Sequence, residues 1–311
     1  MFDIVGNRSR FLLVSGFMII ISIVFLGVFG LKLGIEFSSG LEARISFRED
    51  FDTESLTMAL AELGYDNVVV QNIISEEGVF LVRTPHLSAE EQQRLKEGLA
   101  DTFGNLMEEP EFRVVSSEVS TETATVAGIA MAVATVGILL YITWAFRRMP
   151  RPFHYGTCAV IALVHDVVVV LGIYSVLSGI MNWEINLMFI TGVLAVIGYS
   201  VNNTVVVFDR IRENLHRGIS ASFEVVVNSS LVETMSRSLN TGLTTLAVVL
   251  ALVLFVGVSI QNFAVVLLIG VAAGTYSSLF VAPQLLVVWE RGEWFGFIRR
   301  LSMTRGGARE R

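Results

Sequence analysis

The sequence predicts an all-α membrane protein of six transmembrane helices, with one extracytoplasmic α+β domain of βαββαβ order inserted after the first helix. Three observations predict this class. Hydrophobic residues make up 53% of the 311 residues and charged residues only 16%, where a soluble domain carries about a quarter. Six apolar runs, 11–31, 123–146, 155–181, 185–208, 238–260 and 262–289, reach the roughly 20 residues that a helix needs to cross a bilayer. The charge is also divided: segment 32–122 holds 19 acidic and 7 basic residues, and the rest of the chain holds 10 and 15.

The first run lies between Arg10 and Lys32 without an internal charge. It is longer than the apolar core of a signal peptide, about 7–15 residues, and no small-residue cleavage site follows it, so it reads as an uncleaved span. The insert 32–122 then alternates between two periodicities. LEARISF (41–47) alternates like a strand. TESLTMALAELG (53–64) has Thr53 as a candidate N-cap and closes on Gly64. DNVVVQNIIS (66–75) and GVFLVRT (78–84) read as strands across a short turn. Residues 88–104 open on Ser88 and Glu91, a capping box, and end on a glycine. EFRVVSS (111–117) reads as the last strand. This order is the ferredoxin-like split βαβ pattern. His86 is read as a solvated loop residue, and the carboxylates as an acidic solvated surface.

The remaining spans are oriented by their arginines, because short arginine-rich loops stay cytoplasmic. Arg8 and Arg10, the group Arg147, Arg148 and Arg151, the group Arg210, Arg212 and Arg217, and the arginines of tail 290–311 all fall on one side if there are six spans. Both termini and a loop at about 209–237 are then cytoplasmic. Trp144, Trp183 and Trp289 sit near span ends, where an aromatic belt forms.

Polar residues inside the spans are the candidate functional groups, since such residues are costly in a bilayer. Asp166 lies mid-span beside His165. It is either a proton-titrating group or a structural acid bonded to a neighbouring helix. Asn202 and Asn203 cannot titrate, and at helical spacing they share a stripe with Gly192, Ala195, Tyr199 and Val206. Close helix packing bonded by amides accounts for such a stripe. In the fifth span Arg237, Asn240, Thr241 and Thr244 form one polar stripe at i, i+3, i+4, i+7. Arg237 either snorkels to the interface or pairs with a carboxylate in the bundle. Gly270 and Gly274 form a GxxxG packing motif. Asp209 with Arg212 and Arg210 with Glu213 have i,i+3 spacing, which suits surface ion pairs or docking to a cytoplasmic partner.

No GxxxxGK[ST] loop, HExxH motif or Ser-His-Asp spacing occurs, and the single Cys158 permits no disulfide framework within the chain. An enzyme, a cofactor, a metal site and a nucleic-acid partner are not expected. Energy for any transport would come from an ion gradient or a partner.

Four stretches, LGIEFSSG (33–40), ALVHD (162–166), GYSVNNTVVVFDRIREN (198–214) and SRSLNTGLTTL (236–246), resemble the SecF branch of the SecD/SecF family of bacterial protein-export membrane proteins. Their order fits six spans with one outer domain. The resemblance implies an RND-type half that pairs with SecD beside the SecYEG channel. It implies use of the proton- or sodium-motive force to draw a translocating polypeptide outward after SecA has pushed it, with the chain in the bacterial cytoplasmic membrane. It carries family motif positions onto Gly34, Glu36, Phe37, Gly40, Gly198, Tyr199, Asp209, Arg210, Arg212 and Glu213. Family members usually read GYSVND, so Asn203 stands where the family has an ion-coupling aspartate, with Arg237 at the facing arginine. Glu36 and Ser38–Ser39 depart from the family's G-[IVL]-D-F-x-G-G pattern. An RND-type exporter of small molecules or lipids, and a non-transporting scaffold of the translocon, are the alternatives. The small outer domain disfavours the exporter, and Asn203 keeps the scaffold open.

Overall fold

A computed structural model describes residues 3–48, 52–65, 68–72, 78–85, 87–104, 108, 110–181, 183–255 and 260–292. Six helical stretches among them are long and apolar enough to cross a bilayer. They are α1 (Arg8–Phe29), α5 (Ser117–Ala145), α6 (Pro152–Met181), α7 (Leu187–Arg217), α8 (Phe223–Phe255) and the pair α9 (Gln261–Phe280) and α10 (Ala282–Glu290). The sixth stretch is broken at Val281, with Pro283 at the start of α10. Proline has no N–H to continue the ladder but suits a helix's first turn.

The helices α7 and α8 are longer than a bilayer core requires. At 1.5 Å per residue each spans roughly 45–50 Å, against about 30 Å of hydrocarbon. The segment 209–237, expected as a loop, is therefore helix on both sides of a short turn at 218–222. Gly218 ends α7 in the left-handed conformation, and Ser222 accepts from Val226 N at 3.2 Å as α8 begins.

Packing follows the rule for helices in lipid, where small and polar residues mediate contact because the tails are as apolar as leucine. The helix α1 exposes Phe17, Ile20, Ile23 and Val28 and buries Ser15 and Ser22. Ser22 lies against Gly172 of α6. Inside the bundle, α7 and α9 run side by side with Gly192 against Val266, Gly270 against Val196 and Gly274 against Ser200. The GxxxG glycines thus face α7. Trp183 is buried against Tyr174 and so is no belt residue, whereas Trp144 is exposed.

The insert holds β2 (Gly40–Ser46), α3 (Thr53–Glu62), β3 (Val69–Asn72), β4 (Val79–Thr84), α4 (Ala89–Phe103) and β5 (Glu111–Val115). The strands form one antiparallel sheet in the order β3-β4-β2-β5. Asp52, not Thr53, occupies the N-cap position of α3. Ser88 caps α4, and its backbone N–H donates to Glu91 Oε2 at 2.8 Å to close the box. Residues 66–67 and 73–75 of the expected strand, and His86, lie outside the described residues. One face of the sheet builds a core with α3 and α4 from Leu41, Ile45, Leu56, Leu60, Phe80, Val82, Leu95 and Leu99. Each such side chain contributes about 1.5–3 kcal/mol by leaving water.

The domain meets the bundle through elements the sequence did not reveal. After α1 come β1 (Lys32–Leu33) and α2 (Ile35–Ser38), and β6 (Glu184–Ile185) lies between α6 and α7. Strands β1 and β6 pair in parallel, Lys32 with Glu184 and Leu33 with Ile185. Two-residue strands leave no periodicity to read.

Candidate functional site: a buried carboxylate shared by three helices

Asp166 is fully buried in α6. Its Oδ2 accepts from Ser200 Oγ of α7 at 2.5 Å and from Ser277 Oγ of α9 at 2.7 Å, and its Oδ1 lies 3.0 Å from His165 Nδ1. Three helices therefore converge on one carboxylate. The serines arrive because α7 and α9 approach through glycines: Gly274, one turn before Ser277, sits against Ser200 itself. His165 Nε2 and Tyr199 Oη are both buried without a hydrogen-bond partner. Tyr276, whose ring lies 6.3 Å from that of His165, donates to Phe11 O at 3.1 Å and ties α1 to α9.

The two asparagines separate. Successive helical residues point about 100° apart, so one stripe cannot hold both. Asn203 turns inward with Gly192, Val196, Ser200 and Val207, and Asn202 turns outward. Asn203 is only 4% exposed, and its Nδ2 has no partner. It lies one turn beyond Ser200, next to the Asp166 hub along α7.

The α8 stripe does not join the hub. Arg237, Asn240, Thr241 and Thr244 are all exposed along one side of α8, and Thr244 Oγ1 merely returns to Asn240 O at 2.9 Å. Arg237 has no ion-pair partner among the described residues, so it does not face Asn203 through any bond. Gly198 is likewise exposed, with nothing of this chain within 4 Å of where its Cβ would be.

The other motif positions lie at the two ends of the bundle. At the end away from the domain, Asp209 pairs with Arg212, and Arg210 bonds Glu213 and Glu233, each at 2.5 Å. Asn214 donates to Ser230 at 3.0 Å and Glu233 at 2.9 Å. This network stitches α7 to α8 where both leave the apolar zone. At the domain end, Gly34 N donates to Ile185 O at 2.8 Å, and Phe37 packs on the bundle. Gly40 has φ +140°, and its Cβ position lies 2.6 Å from Thr84 O, so no other residue fits. Glu36 Oε1 pairs with Arg113 Nη1 at 3.3 Å.

Sequence reasoning missed Ser200, Ser277, Arg83 and Glu184. Serines are common inside membrane helices, and nothing in their spacing marks these two. Arg83 and Glu184 face each other only through tertiary structure. Burial works against the Arg83 cation, but the carboxylates of Glu184 and Glu42 outweigh it and hold its pKa above the ordinary value. Burial, together with Glu42 and Glu36 nearby, pushes Glu184 up against the pull of Arg83.

The family model described as protein export membrane protein SecD/SecF, C-terminal, matches residues 95–292. The chain is 42% identical over 310 residues to the protein translocase subunit SecF of Thermobaculum terrenum, spanning 96% of this chain and 98% of that one. It is 36% identical over 303 residues to the SecF of Anaerolinea thermophila, again spanning 96% and 98%. Among solved structures, SecDF from Thermus thermophilus, described as a translocon-associated membrane protein, matches with a TM-score of 0.82 and 29% identity over 93% of this chain. SecDF in a super-membrane-facing form matches with a TM-score of 0.61 and 28% identity over 99% of this chain. The chain spans 39% and 40% of those two solved chains.

Proposed function

The chain belongs to the SecD/SecF family of protein-export membrane proteins, a family of translocase subunits and not of enzymes, and from that premise we propose that it is a gradient-coupled subunit in which Asp166 carries the coupling proton. It acts with a SecD partner beside the SecYEG channel and promotes outward movement of the polypeptide after SecA-driven insertion. The observation that carries this reading is the Asp166 hub. One buried carboxylate holds serines from two other helices, so a change in its proton count changes the bonds that fix α6, α7 and α9 together. Asn203 removes the carboxylate the family has on α7, which leaves Asp166 as the acid of the hub. One elementary charge moved across 100 mV supplies about 2.3 kcal/mol, a roughly 50-fold shift between two conformations.

The finer architecture follows the same reading. The insert is a ferredoxin-like extracytoplasmic domain, supported by its βαββαβ order and by a sheet that places the fourth strand beside the first and the third beside the second. Both termini are cytoplasmic, supported by the arginine distribution. The exposed polar stripe of α8, with Asn202 and Gly198 of α7, is the surface that meets the SecD helices. The chain's 39% share of the solved SecDF chain leaves room for that half.

The test uses vesicles holding this protein, its SecD partner, SecYEG and SecA. Late-stage translocation is followed with and without a proton gradient for the native chain, Asp166→Asn and Asn203→Asp. Stimulation in the native chain that Asp166→Asn removes supports the reading. Stimulation that survives Asp166→Asn overturns Asp166 as the coupling acid, and stimulation seen only with Asn203→Asp makes the native chain a scaffold.

A further inference from the structure

The domain is joined to the bundle covalently at two points only: through β1 and α2 to α1, and through Ser116 to α5. Both helices lie at the edge of the bundle. The hub belongs to α6, α7 and α9, which have no covalent link to the domain. A different contact reaches them.

The face of the sheet turned away from α3 and α4 carries charge in register. Glu42 of β2 stands directly opposite Arg83 of β4 on one side and Arg113 of β5 on the other. This places a positive, a negative and a positive side chain in one row across three strands. The bundle presents two carboxylates to that row. Glu184 Oε2 lies 2.6 Å from Arg83 Nη1, while Arg83 Nε donates to Glu42 Oε2 at 2.6 Å. Glu36 of α2 pairs with Arg113. The Arg83 and Glu184 side chains are only 10% and 4% exposed. Glu184 is itself fixed from behind: its carbonyl accepts from Tyr174 Oη of α6 at 3.0 Å and from Asn262 Nδ2 at the start of α9 at 3.2 Å. A cleft of about 390 Å³ adjoins the row, walled by polar side chains such as Arg44 and Gln261 and by the apolar Leu81, Phe112, Leu187 and Met188. Along this cleft the two bodies are separated by space, while Phe37 of α2 packs on the bundle.

We propose that the row Arg83–Glu42–Arg113 and the carboxylates Glu184 and Glu36 form a clasp that sets the domain's position on the bundle, with Arg83 and Glu184 as the positioning pair. The clasp attaches the domain to the α6–α7 connection, and so to the two helices that hold Asp166 and Ser200. A buried ion pair adds little stability over apolar contact, but it specifies one arrangement and penalises others that leave a charge unpaired. The coupling role assigned to the clasp rests on the motor reading above, whereas its positioning role does not.

The test is a distance measurement on the full chain in nanodiscs, with Cys158→Ala and spin labels at Glu90→Cys on α4 and Leu254→Cys on α8. The chain with native Arg83 and Glu184 is expected to give one narrow distance distribution. Arg83→Glu broadens it or adds a second maximum, and Arg83→Glu combined with Glu184→Arg and with Glu42→Gln, which removes the repelling carboxylate within the sheet, restores the narrow one. An unchanged distribution in Arg83→Glu overturns the clasp, and a swap that fails to restore it overturns the pairing. Glu184 lies outside the domain, so Glu184→Gln, expected to broaden the distribution, decides the matter if Arg83→Glu unfolds the sheet. The readout needs no translocation, so loss of the motor reading alone leaves these outcomes standing.

Discussion

Alanine substitution at Gly270 and at Gly198 should act in opposite directions, although both are helical glycines of membrane spans. A Cβ at Gly270 would lie 2.0 Å from Val196 Cγ2 and 2.6 Å from Cγ1. Carbon atoms prefer about 3.5–4.0 Å, so the neighbour must retreat by roughly 1.5 Å. Val196 is buried and β-branched, with one strongly preferred helical rotamer, and a retreat therefore moves α7 away from α9. Overpacking of this kind costs about 1–3 kcal/mol, and here it also pulls Ser200 from Asp166. At Gly198 nothing lies within 4 Å, and alanine gains up to about 1 kcal/mol of helix propensity. Unfolding followed by tryptophan fluorescence in mild detergent measures both, Trp183 being a buried reporter just beyond the domain end of α6. Equal effects of the two substitutions would refute the packing argument. Stabilisation by Gly270→Ala alone would do so outright.

Three further outcomes are expected. Ser277→Ala and Ser200→Ala each remove one donor from the same carboxylate oxygen and should each lower stability by about 1–2 kcal/mol, with a double-mutant loss that departs from the sum because the two share a partner. Glu184 has a folded-state pKa raised above its ordinary value of 4.5, so its contribution is full below that value and is lost as pH rises through the folded pKa. Glu184→Gln should therefore flatten the pH dependence of stability just above the ordinary glutamate range, as measured by melting across pH. Arg237→Leu should leave the melting of the isolated chain within about 0.5 kcal/mol of native, as an exposed position does, yet weaken copurification with a SecD partner; unchanged copurification would remove the α8 stripe from that interface.

The helices and the order of the insert were legible because each rests on a local signal. Twenty apolar residues declare a span, and Ser88 with Glu91 declares a helix start. Asp166 was legible for the same reason: a carboxylate amid valines has no other explanation than an interior partner or a titration. Its partners were not legible. Ser200 and Ser277 are 77 positions apart, and only the glycine contacts between α7 and α9 bring them to one oxygen. The stripe argument for Asn202 and Asn203 failed on geometry, since adjacent residues on a helix cannot share a face. The segment 209–237 is not a loop but the ends of α7 and α8 on either side of a turn at 218–222. In fact Arg210, Glu213, Asn214 and Glu233 bond across α7 and α8 and carry both helices beyond the apolar zone.

The clasp also orders events during synthesis. Its arginines belong to a domain complete by residue 115, but Glu184 follows Arg83 by about 100 residues, or about 5–20 s of elongation at 5–20 residues per second. Within that interval the sheet can fold and Glu42 can pair with Arg83, since both lie in the same sheet. The parallel β1–β6 ladder and the Arg83–Glu184 pair cannot form until the third span has crossed and its C-terminal end lies beside that of the first. The nascent domain is thus met by Glu36 first and by Glu184 last, so its final seating reports that the third span has crossed.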